Sequence, residues 1–247
     1  MKKAITGFFM SWGMFCAIPC PLKIWDENAK LYSVVMLPVL GLVIGAVWAA
    51  AAFLLSLLGV PQLLSAAILT VCPALISGFI HLDGFMDCCD AILSRRDLAE
   101  RQRILKDSHA GAFAVISVVI LFLLQFGAFA DFAGKNVWML VFLPAAARCA
   151  SSIAVLSFQP IGHSGYVKAF ESSKTGYKIA AWLILAALAI VPVVIFGVCG
   201  LFAVISQLAA FLAIFYGRSQ LGGMSGDISG YGITIGELAG AVALVLL

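Results

Sequence analysis

The chain has 247 residues, of which 63% are hydrophobic and 11% charged, with a net charge of +3. Soluble domains run to roughly 45–50% apolar and about 25% charged residues, so a water-soluble globular domain is excluded, and so small a positive charge gives no reason to expect nucleic acid as a partner. Several apolar runs near or above ~18 residues predict an all-α, polytopic transmembrane bundle forming one integral membrane domain over 1–247. The seven cysteines form no CxxC or Cys/His pattern, which argues against a disulfide framework.

The N-terminal run MKKAITGFFMSWGMFCAIPCP is basic and then apolar, but it has no A-x-A cleavage site. It is short for a crossing and carries Trp12 and several phenylalanines, which predicts an interfacial or re-entrant helix. Spans are predicted at about 32–58, 62–82, 112–130, 137–158, 178–197 and 199–216. A last apolar piece near 232–247 is short for a full crossing, so the expectation is six to seven spans. With the 83–111 segment placed inside, 13 of the 15 basic residues fall on that side; Lys135 is opposite and Arg148 lies within a span. Cytoplasmic loops carry such an excess of Lys and Arg. The expectation is therefore a multi-pass protein of the bacterial inner (cytoplasmic) membrane. Its acidic segment at 83–111, its 159–177 loop and its glycine-rich 217–231 loop would then all face the cytoplasm.

Six of the 12 acidic residues fall between Asp83 and Asp107. Asp83, Asp87 and Asp90 are spaced i, i+4, i+7 and share one helical stripe, in a helix read as continuing from the second span to a break near Leu93–Ser94. Carboxylates about 5–6 Å apart repel by about 3 kcal/mol per pair at an effective dielectric of ~20. A divalent cation is the natural counter-charge, and oxygen ligands favour Mg²⁺, with Mn²⁺ able to substitute. Asp107 returns to the membrane edge before the third span and is the fourth candidate ligand. Asp97 and Glu100 sit among arginines and read as ordinary surface pairs.

Arg148 lies in the small-residue run AAARCASS inside a span, where a charge is costly. It would either clamp a phosphate or pair with an intramembrane acid such as Glu237. In the 159–177 loop, His163 and Lys168 suit an anionic ligand. The run LGGMSGDISGYG offers Gly222, Gly223, Ser225 and Asp227, either as a phosphate-contacting backbone with a carboxylate for a sugar hydroxyl or metal, or as a flexible turn.

The stretch HLDGFMDCCDAI, followed by basic residues and ILKDSHAGAFAV, closely resembles the cobalamin synthase (adenosylcobinamide-GDP ribazoletransferase) family. GGMSGDISG is similar to that family's C-terminal GG-x-[TS]-GD-x-x-G motif, and FCAIPCP to its short early segment. Ala91 and Ala114 stand where the family pattern has glycine. The resemblance implies a membrane phosphotransferase that joins adenosylcobinamide-GDP to α-ribazole or α-ribazole 5′-phosphate and releases GMP, the last assembly step of the cobalamin lower loop. It implies Mg²⁺ held by Asp83, Asp87, Asp90 and Asp107, with catalysis by Asp83 and Asp87. Arg148, His163, Lys168, Gly222, Gly223, Ser225 and Asp227 would contact the substrates. Whether the chain acts alone or as a homo-oligomer is left open. A CDP-alcohol phosphotransferase needs Ala-Arg soon after its Asp-Gly pair, which Phe85-Met86-Asp87 does not supply. A cation transporter would carry its acids near the midplane within repeated halves, and no repeat is visible.

Overall fold

In a bilayer every backbone N–H and C=O must find a partner within the protein, which leaves helices as the natural spanning element. The computed structural model describes residues 2–162 and 175–247. It contains α1 (Lys2–Phe15), α2 (Lys30–Val35), α3 (Leu37–Leu57), α4 (Gln62–Ile76), α5 (Ile80–Leu93), α6 (Leu98–Ile104) and α7 (Ala112–Ala130). These are followed by α8 (Leu143–Ser157), α9 (Thr175–Phe196), α10 (Leu201–Leu221) and α11 (Gly226–Leu246). No β-strand occurs among the described residues.

Helix α8 is the axis of the bundle. Every residue from Leu143 to Leu156 is buried, because its alanines, serines and single cysteine let α3, α9, α10 and α11 all approach closely. Among the described residues five stretches are long and apolar enough to cross a membrane, and α4 with α5 forms a sixth candidate as a broken span. The longest, Thr175–Leu221, doubles back at Gly197–Gly200. The Gln207 amide donates to the Leu185 carbonyl at 3.1 Å and Trp182 stacks on Phe211, so α9 and α10 form a hairpin. Each arm is about 32 Å long, enough to cross on its own. That agrees with the two spans expected at 178–197 and 199–216.

The acidic helix is not a straight continuation of the second span. The chain bends by 93° between α4 and α5. Pro73 weakens α4, and Gly78 and Phe79 both adopt left-handed backbone, with φ of 66° and 62°. For Phe79 that conformation costs roughly 1–2 kcal/mol. The backbone groups at the bend are nevertheless paired: Ser77, Gly78 and Phe79 donate back to Pro73, Leu75 and Ala74. Ala17, just beyond α1, donates to the Ile76 carbonyl at 2.8 Å. The end of α1 thus reaches into the bundle, with Phe15 buried and stacked on His81 at 5.8 Å.

The last helix begins earlier than its apolar run suggests. α11 has 21 residues from Gly226 and is long enough to cross, whereas the sequence places Gly226–Tyr231 in a loop because glycine is a poor helix former. Packing reverses that preference. A Cβ on Gly230 would fall 2.8 Å from the His81 carbonyl oxygen, so glycine is what lets α11 press against α5.

Across the core, Arg148 Nη1 meets Glu237 Oε1 at 2.5 Å and donates to the Pro144 carbonyl at 3.0 Å. Arg148 is completely buried. Stripping one partner from a buried pair leaves an uncompensated charge and costs about 3–5 kcal/mol. Glu237→Leu should therefore lower the thermal unfolding midpoint in detergent sharply, while Arg148→Met combined with Glu237→Leu should recover most of the loss. Scanning fluorimetry of the purified variants checks this; equal loss in the single and double variants would contradict it.

Candidate active site

Helix α5 presents Asp83, Asp87 and Asp90 along one stripe, with Asp83 in its first turn where the helix dipole favours negative charge. A fourth carboxylate arrives from the far end of the chain. Ser225 caps α11, its Oγ accepting from Ile228 N at 3.2 Å and donating to Asp227 Oδ2 at 3.2 Å. Asp227 is brought to α5 by Gly84, where a Cβ would fall 2.7 Å from Asp227 Cα. Phe85 stacks on Tyr231 at 5.8 Å, and Thr234 donates to the His81 carbonyl at 3.2 Å, so the two helices are fastened below the acids.

The charges of Asp83, Asp227 and Asp90 all act on the Asp87 carboxylate, and that of Asp83 acts on Asp227. Among the described residues, no cation is found with the groups that act on Asp87. No three His, Cys, Asp or Glu side chains among the described residues stand close enough together to hold a metal ion as they are placed. The cluster offers oxygen donors and negative charge, which is the donor chemistry that suits a hard divalent cation.

Asp90 has a second task. α7 starts at Gly111, which has no side chain to cap it, and the Asp90 carboxylate supplies the cap from α5 by accepting from Gly111 N and from Ala114 N, the latter at 3.1 Å. A side chain at position 111 would collide with that carboxylate. Asp107, expected as the fourth ligand, points elsewhere. It is exposed and accepts from the His109 ring at 2.7 Å and from the His109 backbone at 3.1 Å. Those hydrogen bonds, with the charge of Arg103, hold its carboxyl below the usual carboxylate range, and none of the acids of α5 is among its partners. Asp97 caps α6 by accepting from Glu100 N at 2.9 Å, and Glu100 pairs with Arg103 at 2.7 Å, which is the surface role expected of both.

Three segments remote in sequence meet at the end of the bundle where α11 begins. Met224 and the 159–161 segment exchange hydrogen bonds, Met224 N to Gln159 O at 2.8 Å and Ile161 N to Met224 O at 2.9 Å. Arg101 and Gln102 of α6 donate to Gln220 and Leu221 at the end of α10. Gly222 takes left-handed backbone at φ 79° to end α10, and Gly223 lies against the backbone of Ile161. The N–H groups of Gly222 and Met224 are thus spent inside the protein, so this turn is a structural joint more than an open phosphate cradle. Arg148 is likewise committed to Glu237, the second of its two expected roles. His163 and Lys168 lie outside the described residues.

Sequence reasoning did not join Asp227 to the stripe, although Ser-Gly-Asp ahead of an apolar run is a helix-start signal. It also gave Phe15 and Gly230 no part.

A family model described as cobalamin-5-phosphate synthase matches residues 7–245. Proteins named adenosylcobinamide-GDP ribazoletransferase are similar over their full length: one from Clostridium perfringens is 38% identical, with 100% of both chains aligned. One from Clostridium botulinum is 38% identical over 100% of this chain and 99% of its own, and one from Lachnoclostridium phytofermentans 32% over 99% and 95%. No solved structure matches. With the match running from α1 to the end of α11 and taking in both the acidic helix and the Ser-Gly-Asp cap, the chain belongs to the cobalamin-5-phosphate synthase family.

Proposed function

We propose that the protein transfers the cobinamide-phosphate group of adenosylcobinamide-GDP to a ribose hydroxyl of α-ribazole, or of α-ribazole 5′-phosphate, releasing GMP. The observation that supports this reading is the convergence of Asp83, Asp87 and Asp227 from two helices, their charges acting on one another. In the transfer, the acceptor oxygen forms a bond to the phosphorus as the bond to GMP breaks, and GMP leaves with the electron pair. Such a reaction depends mainly on positioning and on neutralising phosphate charge. Asp83, the most exposed of the three, takes the proton of the attacking hydroxyl. Asp87 and Asp227, with Asp83 completing the set, would hold Mg²⁺, or Mn²⁺ in its place, which when bound would supply charge neutralisation for the diphosphate. Asp90 orients α7 from beside the site, and the backbone at the start of α11 adds the positive end of a helix dipole. Catalysis sits at the cytoplasmic face of the cell membrane.

Mixing purified protein with both substrates should release GMP, which neither an ion transporter nor a CDP-alcohol phosphotransferase would do. Asp→Asn keeps the shape of the side chain, so at Asp83, Asp87 or Asp227 it should leave the bundle folded. Turnover should nevertheless fall at least ~10²-fold, about 2.7 kcal/mol of transition-state stabilisation. Asp97→Asn should cost little, since asparagine caps a helix about as well as aspartate. GMP formation by variants of matched thermal stability decides it, and an Asp97→Asn enzyme as damaged as Asp87→Asn would refute the assignment.

Chelation should abolish GMP release, and Mg²⁺ or Mn²⁺ should restore it. Full turnover after exhaustive chelation would remove the metal from the reading. For orientation, a single cysteine introduced at the exposed Gly222 position should react with an impermeant maleimide only after cells are opened. Labelling of intact cells would place the site outside.

A further inference from the structure

A cavity of about 20 Å³ lies beside the bend, where four helices meet. Its wall includes Thr70 of α4, Ser77 at the bend, His81 of α5, Gln125 of α7, and Thr234 and Glu237 of α11. The carboxylates of the candidate active site have no part in it. Inside a membrane bundle every such polar atom needs a partner, since leaving one unpaired is costly.

Most of the wall is satisfied from within. Thr70 and Ser77 donate to carbonyls of α4, and Thr234 donates to the His81 carbonyl. The Gln125 amide nitrogen donates to the Thr70 carbonyl at 3.3 Å, and Glu237 Oε1 receives Arg148. His81 Nε2 is the exception. The residue is 7% exposed, and that nitrogen is buried with no hydrogen-bond partner in the protein. Phe15 stacks on the ring and holds it in place.

We propose that the cavity holds one bound water molecule, which joins His81 Nε2 to Gln125 and Glu237 and so ties the first turn of α5 to α7 and α11. Size, charge and chemistry select that occupant. A water needs about 10–15 Å³ of such space and two to four polar partners, so this cavity admits one water and nothing larger. Among the described residues Glu237 is the one charged group in the wall, and Arg148 balances it. A cation there would have no counter-charge of its own. Water both donates and accepts, so it serves either tautomer of the ring. The amide oxygen of Gln125 and the second carboxylate oxygen of Glu237 are its other partners. His81 stands two residues before Asp83, in the same turn of α5, which makes it a positioning residue for that carboxylate. This last effect rests on the transfer reaction proposed above; the water itself does not.

Two substitutions separate the water from simple packing. His81→Phe keeps a ring for Phe15 to stack on and lacks the nitrogen. His81→Gln loses the ring and keeps a polar group with similar reach. With a bridging water, His81→Phe should unfold at least about 2–4 °C below His81→Gln in detergent. Equal midpoints, or the reverse order, would assign the effect to ring packing and overturn the inference. A density map of the wild-type protein fine enough to resolve waters should show a peak about 2.7–3.2 Å from His81 Nε2. The inference also fails if no peak stands there, or if the wild-type midpoint follows Na⁺ concentration at constant ionic strength, as a bound cation would require. With GMP release as readout, His81→Phe should lower kcat about tenfold at unchanged KM for both substrates, and His81→Gln should restore most of it. An unchanged kcat in His81→Phe would overturn the placing of Asp83. A wild-type enzyme that releases no GMP would instead sink the proposed reaction, while the map and the midpoints would still decide the water.

Discussion

The closest approach of α5 to α11, at Gly84 against the backbone of Asp227, sets the geometry of the site. A side chain at either face would push the helices apart and separate carboxylates that gain their effect from being together. Holding them together is unfavourable in the metal-free protein, by about 3 kcal/mol for each close pair at an effective dielectric of ~20. The opposing interactions are Phe85 on Tyr231 and Thr234 on the His81 carbonyl between the same two helices, and Arg148 with Glu237, which ties α11 to α8. The repulsion and the fastening therefore share the α5–α11 pair. The proposed cation would relieve the first without disturbing the second, leaving the carboxylates arranged in advance.

The same division explains why Asp90 differs from its neighbours. At i+7 from Asp83 it is one turn beyond Asp87, where α5 passes the start of α7. Two backbone N–H groups of an uncapped helix are there to be satisfied, and a carboxylate offers enough lone pairs to accept from both. Its charge still acts on Asp87, but its orientation is set by α7. One stripe of three identical residues thus serves two purposes, decided by what each meets across the interface.

Much of this was legible in the sequence, because membrane spans announce themselves by length and hydropathy. The hairpin arms α9 and α10, the isolation of α7 and the shared stripe of Asp83, Asp87 and Asp90 all follow from local pattern. Features set by tertiary contact were not. Nothing local requires Phe79 to take left-handed backbone; the bend persists because Ala17 and the turn's own N–H groups pair its carbonyls. Glycine-rich Gly226–Tyr231 reads as a loop until α5 is laid beside it. Asp107 lies close in sequence to the acidic stripe, yet His109, two residues away, claims it first.

The span between Arg148 and its partner has a consequence for how the protein is made. Glu237 lies 89 residues downstream, on the last helix, so a nascent chain must lodge a guanidinium in the bundle axis well before its counter-ion has been synthesised. Asp227 and Thr234 come from that same helix. Docking of α11 therefore neutralises the core, locks α5 and delivers the third carboxylate in one event. A chain interrupted before α11 would carry an orphan charge at the centre of its bundle and only two of the three acids of the site. Docking of α11, closure of the core and assembly of the carboxylate cluster are thereby one step.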